Sequence, residues 1–249
     1  MDRILGNRVA APEQYAPDIL EPIDRALGRS AIEGASMHVS NGWDVWHCYE
    51  LSWLLEGEGL CYFTGTLSIP ADSPFTVESK SLKLYLNSLN NKTFPSNDEA
   101  IKTIERDVST IAGGAVKVVL WSSSDLAENT FIPDELPAPG ASLPTRRYVV
   151  PGFRSLCPVT AQPDWATVVV DTDTTAFDRE TIDAAIETLR NHQGFHEQCI
   201  EDLFSRIERD LRPEYLEITG FFQRRGGIDI TPRRSSVGSE PPVERLFEQ

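Results

Sequence analysis

Four short segments carry polar residues that a folding pattern alone does not require, and the first is Cys157–Trp165, CPVTAQPDW. Two prolines bracket this loop, with a thiol at one end and the carboxyl group of Asp164 at the other. A free cysteine is most often a small buried hydrophobe, but a thiol with an acid or base nearby is also the arrangement of covalent catalysis. Because a normal thiol is only a few per cent thiolate at neutral pH, the second interpretation requires a base or a positive potential beside Cys157.

The second segment is Phe195–Cys199, FHEQC, which the pattern places at the start of a helix. His196 and Glu197 would lie in the first turn, where the helix dipole favours a carboxylate. A capping cluster explains these residues as well as a functional site does. Together with Cys157, His196 and Cys199 also offer three possible zinc ligands of the right type, although no obvious fourth ligand accompanies them.

The other two segments are Glu78–Lys83, ESKSLK, and Gln223–Gly227, QRRGG. A helix start with solvated lysines and a basic hairpin turn are their simplest explanations. Hydroxyl and ammonium groups side by side in the first segment also suit phosphates. Paired arginines beside paired glycines make the second segment an anion-site candidate, because backbone can approach a ligand closely there.

Composition narrows the classes of function. The chain has 249 residues, 40% of them hydrophobic and 24% charged, which predicts one or two globular domains. Lys and Arg number 23 against 38 Asp and Glu, a net charge of −15. This charge argues against binding to nucleic acid or to anionic membranes, both of which need a basic face.

The same sequence predicts a cytoplasmic location. It holds no apolar stretch long enough to span a membrane, and its start lacks the apolar core of a signal peptide. Its four cysteines include no CxxC pair and are expected to be thiols.

Hydrophobic periodicity predicts the elements that must position these segments. The first half is expected to hold an antiparallel hairpin, two helices and a strand, at residues 45–55 with 59–69, 78–90, 97–112 and 115–121. The second half is expected to hold strands at 147–156 and 166–172, helices at 178–191 and 195–211, and strands at 215–223 and about 227–231. The order β-β-α-α-β-β is thus expected twice, with the helices on one face of antiparallel sheets, which is an α+β fold.

A repeated sequence string favours duplication of this unit. The string IERDV at Ile104–Val108 recurs as IERDL at Ile207–Leu211, late in the second helix of each half. A common helical surface string can recur by chance, but here position and order agree as well. We therefore expect an N-terminal arm at 1–40, a first module at 41–121, a proline-bearing linker at 122–146 and a second module at 147–249.

The chain resembles a known family in five segments spread over about residues 45 to 235. These are Tyr49–Leu54 (YELSWL), Glu78–Tyr85 (ESKSLKLY), Cys157–Trp165, Phe195–Cys199 and Arg224–Ile230 (RRGGIDI). They resemble the NADPH-dependent 7-cyano-7-deazaguanine reductases, the nitrile reductases of queuosine biosynthesis, in their two-module form. The resemblance is weakest before residue 40 and in the linker.

The resemblance implies tandem tunnelling-fold units, each β-β-α-α-β-β, in a chain that forms a homodimer. It implies reduction of the nitrile of 7-cyano-7-deazaguanine (preQ0) to the aminomethyl group of preQ1, a step of tRNA modification, with two NADPH and no metal. By the same resemblance, Cys157 is the nucleophile that forms a thioimide and Asp164 is the proton donor. It also gives Val77, Glu78, Ser79, His196 and Glu197 as substrate-binding and Ser79, Lys80, Arg225 and Gly226 as NADPH-binding.

The expected chemistry is consistent with these residue types. Thiolate addition turns a nitrile, a poor hydride acceptor, into a C=N group whose nitrogen can be protonated. Asp164 must then be protonated in part of the cycle, and burial beside Trp165 would raise its pKa. A guanine-like edge presents adjacent N–H donors that one carboxylate, here Glu197, accepts together.

Three other functions remain open at this point. An amidine-forming relative would attack the same nitrile, a zinc-dependent cyclohydrolase would use Cys157, His196 and Cys199, and a silent base-binding module would not need Cys157. The retained Glu78–Lys80 and Arg225–Gly226 favour the reductase, because the first alternative has no use for a nicotinamide. No GxGxxG motif follows a predicted strand, so a Rossmann domain is not expected.

Overall fold

One long antiparallel sheet carries both halves of the chain. The computed structural model describes residues 9–138, 145–174 and 178–249. Its strands are β1 (Pro22–Asp24), β2 (Gly42–Leu55), β3 (Gly59–Pro70), β4 (Phe75–Val77), β5 (Thr93–Phe94), β6 (Lys117–Trp121), β7 (Thr130–Phe131), β8 (Arg146–Leu156), β9 (Pro163–Thr172), β10 (Leu216–Phe222), β11 (Ile228–Ser235) and β12 (Arg245–Leu246). Its α-helices are α1 (Arg25–Ser30), α2 (Ser79–Asn87), α3 (Asn97–Ala112), α4 (Ser123–Glu128), α5 (Arg179–Glu187) and α6 (His196–Leu211).

The two halves meet where β2 pairs with β11. The strand order is β6-β3-β2-β11-β10-β9-β8, and every neighbouring pair on this path is antiparallel. In the register of the central pair, Ile228 lies opposite Cys48 and Ile230 opposite Trp46. The sheet is therefore continuous, and the site segments of the two halves lie near its middle.

The hairpin of the first half confirms the predicted turn. β2 and β3 are rich in aromatic and β-branched residues, which favour a pleated surface. The turn at residues 56–58 includes Gly57, whose φ of 81° lies in the left-handed region that glycine adopts without steric cost.

The helix pairs α2–α3 and α5–α6 cover one face of the sheet, and the predicted α+β class is confirmed. The core under the first pair joins Trp46 and Trp53 of β2 with Leu82 of α2 and Ile104 of α3, all almost fully buried. The second core holds Phe153, Ile182, Leu203, Phe204, Ile207 and Phe222. Burial of each such side chain contributes about 2 kcal/mol. Ile104 and Ile207 begin the two IERD strings, so the repeated segments occupy equivalent places in the two cores.

The order β-β-α-α-β-β is complete in the second half only. In the first half β6 is followed by α4 and by β7, a strand of two residues that pairs with β12 near the end of the chain. Residues 122–146, expected as a linker, thus hold a short helix and a short strand, and 139–144 lie outside the described residues. Phe131 and Leu136 pack with Leu246 on the helix-free face.

The segment expected as an N-terminal arm carries structure from residue 17 onward, and residues 1–8 lie outside the described part. Its strand β1 pairs with β4, which places Pro22 opposite Val77 and Ile23 opposite Thr76. This pairing brings the segment beside the ESKSLK motif. Across the described ranges, no helix is long and apolar enough to cross a membrane.

Candidate active site

A cavity of about 260 Å³ opens where the two halves meet. Its walls come from β4 and the start of α2, the β8–β9 loop, the start of α6 and the β10–β11 turn. All of the predicted site residues except Glu78 line it: Val77, Ser79, Lys80, Cys157, Asp164, His196, Glu197, Arg225 and Gly226. Segments more than 140 positions apart in the chain are thus brought to one cavity.

The loop that carries Cys157 is a closed hairpin tip. The Cys157 N–H donates to the Gln162 carbonyl oxygen at 2.9 Å, and the Ala161 N–H donates to the Cys157 carbonyl oxygen at 3.0 Å. Ala161 has a φ of 52°, a left-handed conformation that costs a residue with a side chain about 1 kcal/mol or more. The loop is therefore held in one conformation around the thiol.

The surroundings of the sulfur favour the thiolate. Partial burial raises the pKa of Cys157, but hydrogen bonds from the hydroxyl and N–H of Thr160 and from the Val159 N–H lower it. The positive charge of Arg225 acts in the same direction, and the net effect is a pKa below that of an ordinary cysteine. The turn and the guanidinium together supply the positive potential that a nucleophilic thiol needs.

Asp164 lies near the start of β9 and is 3% exposed. Its carboxylate forms an ion pair with Arg225, and its Oδ2 atom lies 3.5 Å from the Nε2 atom of His196. The next residue, Trp165, is 39% exposed, because successive strand residues face opposite sides. Asp164 is therefore buried as expected, but on the cavity side of the strand and not beside the Trp165 ring.

His196 and Glu197 open α6, as predicted. Gln198 caps the helix, since its side-chain oxygen accepts from the Phe195 N–H at 3.2 Å. The His196 ring packs against Phe222 with 4.3 Å between the ring centroids. Burial lowers the pKa of His196, so its imidazole is neutral at physiological pH.

Glu197 is a buried carboxyl group, 4% exposed. Its Oε1 atom accepts a hydrogen bond from the Thr76 hydroxyl at 3.3 Å. Burial raises the pKa of Glu197, and the negative charge of Asp44 adds to this effect. Neighbouring His196 and Arg25 act in the opposite direction.

The Glu78 carboxylate caps α2. It accepts the N–H groups of Lys80 at 2.8 Å and Ser81 at 2.7 Å, which satisfies the first turn of the helix. Glu78 lines a separate cavity with Ile23 and Phe195. Its predicted contact with substrate is not reflected in the cavity lining.

The rim of the cavity is basic and suits an anionic cofactor. Lys80 and Lys83 come from α2, and Arg225 from the β10–β11 turn. Gly226 has a φ of 57°, and a Cβ atom there would lie 2.9 Å from the Lys83 Nζ atom. The left-handed φ favours glycine at this position, and the turn lies close to α2.

The described residues contain no group of three His, Cys, Asp or Glu side chains placed to hold a metal ion. Cys199 in particular is fully buried, with its sulfur 3.8 Å from the Gly194 carbonyl oxygen. Cys157, His196 and Cys199 therefore do not form the ligand set considered above.

Several residues at the site were not predicted. Ile23, Trp46, Lys83 and Phe222 also line the cavity, and Thr76 contacts Glu197. Lys83 belongs to the ESKSLK segment, whose ammonium groups were a phosphate-site candidate, but it was not among the residues that the resemblance implied for NADPH. The others are apolar or lie in short strands, and their residue types alone do not indicate a site.

Comparison with known proteins agrees with these motifs. Residues 11–120 match the family described as nitrile reductase, 7-cyano-7-deazaguanine-reductase N-term, and residues 163–240 match QueF-like protein. The NADPH-dependent 7-cyano-7-deazaguanine reductase of Xanthomonas campestris pv. campestris strain B100 is 37% identical over 97% of this chain and 95% of its own length. That of strain 8004 is 38% identical over the same shares.

A solved structure titled as the archaeosine synthase QueF-Like in the apo form is 20% identical, with a TM-score of 0.36, and covers 40% of this chain and 100% of that chain. This likeness is too weak to bear on the fold or the site. The identity to the two reductases extends over nearly the whole of both chains, and the chain therefore belongs to the family of NADPH-dependent 7-cyano-7-deazaguanine reductases.

Proposed function

We propose that this chain reduces the nitrile of 7-cyano-7-deazaguanine to an aminomethyl group with NADPH, and that Cys157 acts as a covalent nucleophile. Family membership supports the reaction. The observation that supports the residue roles is one cavity that joins an activated thiol, the buried Asp164, the buried Glu197 and a basic rim. Such a set provides a nucleophile, a proton carrier, a base-recognising group and a phosphate site.

Glu197 is the group proposed to recognise the base. A guanine-like edge offers two adjacent N–H donors, and one carboxylate accepts both when it is ionised. The neutral His196, packed on Phe222, provides a flat polar wall beside it.

In the covalent addition, Asp164 is proposed to carry one proton from the Cys157 thiol to the nitrile nitrogen. The Cys157 thiol gives its proton to the Asp164 carboxylate, and the sulfur forms a bond to the nitrile carbon as one C–N π bond breaks. Asp164 then passes the proton to the nitrile nitrogen, which yields the thioimide and restores the carboxylate. This sequence starts and ends with Asp164 ionised, as its ion pair with Arg225 requires.

When bound, NADPH supplies hydride, and two equivalents with two protons take a nitrile to a primary amine. Lys80, Lys83 and Arg225 are proposed to hold its phosphates. Gly226 lets the turn approach the pyrophosphate closely, as glycine does in other phosphate sites. The closed loop around Cys157 keeps the sulfur, and the carbon bonded to it, at a fixed place in the cavity.

The test is stoichiometric. Purified protein with 7-cyano-7-deazaguanine and NADPH is expected to oxidise two equivalents of NADPH for each aminomethyl product found by mass spectrometry. An adduct that amines release, without oxidation of NADPH, would instead support amidine formation.

We further infer a homodimer in the cytoplasm that does not bind nucleic acid. Leu60, Tyr62 and Val119 are exposed on the helix-free face of β3 and β6, and this apolar patch supports association of two copies. The net charge of −15 supports the lack of nucleic-acid binding. Sedimentation of the wild type and of Tyr62→Glu tests the dimer, which the charge is expected to weaken.

A further inference from the structure

A buried ion network lies behind the cavity wall. Asp44 on β2 accepts from the Arg25 Nη2 atom at 2.6 Å and from the Arg234 Nη1 atom at 2.8 Å. Glu201 on α6 accepts from the Arg234 Nη2 atom at 2.8 Å and from the Arg29 Nη2 atom at 2.7 Å. The network joins the N-terminal segment, β2, β11 and α6, which are distant from one another in the sequence.

The charges of this network do not cancel. Among the residues described, it contains three guanidinium groups and two carboxylates, Asp44 and Glu201. An unbalanced buried charge is costly, so a further anion nearby is favoured. Glu197 lies four residues before Glu201, which places both carboxyl groups on one face of α6.

Charged and titratable groups reach Glu197 from each element packed against it. Arg25 comes from α1, Asp44 from β2, and His196 and Cys199 from α6 itself. The Arg25 charge lowers the pKa of Glu197 and the Asp44 charge raises it. Neither Arg25 nor Asp44 lines the cavity itself.

The N-terminal segment reaches Glu197 by a second route. Ile23 pairs with Thr76, whose hydroxyl donates to Glu197. Arg25 itself is fixed by its N–H, which donates to the Pro74 carbonyl oxygen at 3.1 Å, and by its Nε atom, 3.3 Å from the Ser73 hydroxyl. The guanidinium is therefore held in place within the buried network rather than mobile in solvent.

We propose that Arg25 and Asp44 are positioning residues that set the ionisation of Glu197 for recognition of the base. The proposal rests on the role given to Glu197 under the proposed function. It makes the segment before residue 40 part of the substrate site.

The direction of the effects follows from the charges. An ionised Glu197 accepts two N–H donors, so binding is lost as the pH falls through its pKa. Removal of the Arg25 charge raises that pKa and moves the loss of binding to higher pH. Removal of the Asp44 charge moves it to lower pH.

The experiment measures binding of 7-cyano-7-deazaguanine by calorimetry from acid to neutral pH in the Cys157→Ala background, where no covalent bond forms. The acid limb is the part of the pH profile in which affinity falls as the pH is lowered. Arg25→Gln is expected to weaken binding severalfold on this acid limb and to have nearly the affinity of the Cys157→Ala parent at higher pH. Arg25→Lys is expected to restore the profile. Arg29→Gln is the matched control, because it breaks the same network at Glu201 and the Arg29 charge is not among the main charges that act on Glu197.

Asp44→Asn is expected to shift the acid limb in the opposite direction. If it fails to fold, Arg25→Gln decides alone, since Asp44 keeps its pair with Arg234 in that variant. A purely structural network would lower the melting temperature in Arg25→Gln and Arg29→Gln and leave both acid limbs in place, and that result would overturn the proposal.

The variant Glu197→Gln distinguishes failure of the positioning proposal from failure of the proposed function. If Glu197→Gln weakens binding and abolishes the acid limb while Arg25→Gln shifts nothing, the positioning proposal alone is wrong. If Glu197→Gln binds the base like the parent at every pH, the recognition role itself is wrong.

Discussion

The imidazole of His196, at the start of α6, lies 3.5 Å from the carboxylate of Asp164, at the start of β9, between Nε2 and Oδ2. Because burial lowers the pKa of His196, its ring is neutral rather than a second cation. The Asp164 carboxylate thus lies between the guanidinium of Arg225 and a neutral imidazole. It is buried, and it lines the same cavity as the Cys157 thiol.

Replacement of Asp164 by Asn is expected to slow reduction more than tenfold, or about 1.4 kcal/mol in the barrier. An amide cannot carry the proton from sulfur to nitrogen. Steady-state oxidation of NADPH measures the change, and Trp165→Phe serves as the neighbouring control, since its ring faces the other side of the strand. A rate within tenfold of the wild type for Asp164→Asn would contradict the shuttle role.

Cys157→Ala is expected to abolish both the covalent adduct and turnover. Intact-mass spectra after incubation with 7-cyano-7-deazaguanine alone measure the adduct. Burial raises the pKa of Cys48 to about 12, so that thiol is inert at neutral pH. Cys61 is half-exposed and therefore provides the more demanding control: Cys61→Ala is expected to keep the adduct.

Long elements could be predicted from the sequence because each presents a periodic apolar face. The hairpin at 45–69 and helix 97–112 agree with the structure to within a few residues. Strands such as β1 and β4, of three residues each, are too short to show a period. Their pairing is nevertheless what brings the N-terminal segment to the cavity.

The site was predicted from local motifs, and this explains which of its residues the prediction missed. Residue types within one segment indicated Cys157 and Glu197, whereas Arg25 and Asp44 act through ion pairs between distant segments that no spacing reveals. Glu78 shows the converse: its motif indicated a substrate contact, and its carboxylate caps a helix.

Gly226→Ala is expected to weaken NADPH binding while the adduct with the nitrile still forms. The new Cβ would approach the Lys83 ammonium at 2.9 Å, and a positive φ costs alanine about 1 kcal/mol relative to glycine. Titration of NADPH fluorescence measures the affinity. Gly238→Ala is the control, because a Cβ atom at that position would have no neighbouring atom within 4 Å and its φ is ordinary. Equal affinities for the two variants would show that the turn does not hold the cofactor.

Thr160→Val is expected to slow adduct formation at neutral pH while the rate at high pH is retained. The Thr160 hydroxyl is one of the groups that lower the pKa of Cys157, so its loss raises that pKa and moves the appearance of thiolate to higher pH. The rate of alkylation by iodoacetamide as a function of pH reports the thiolate directly, with no need for the natural substrate. Thr160→Ser keeps the hydroxyl and is expected to keep the profile. If Thr160→Val and Thr160→Ser alkylate with the same pH dependence, the thiolate is stabilised by the backbone N–H groups and Arg225 alone, and the side chain of Thr160 has no part in activating the nucleophile.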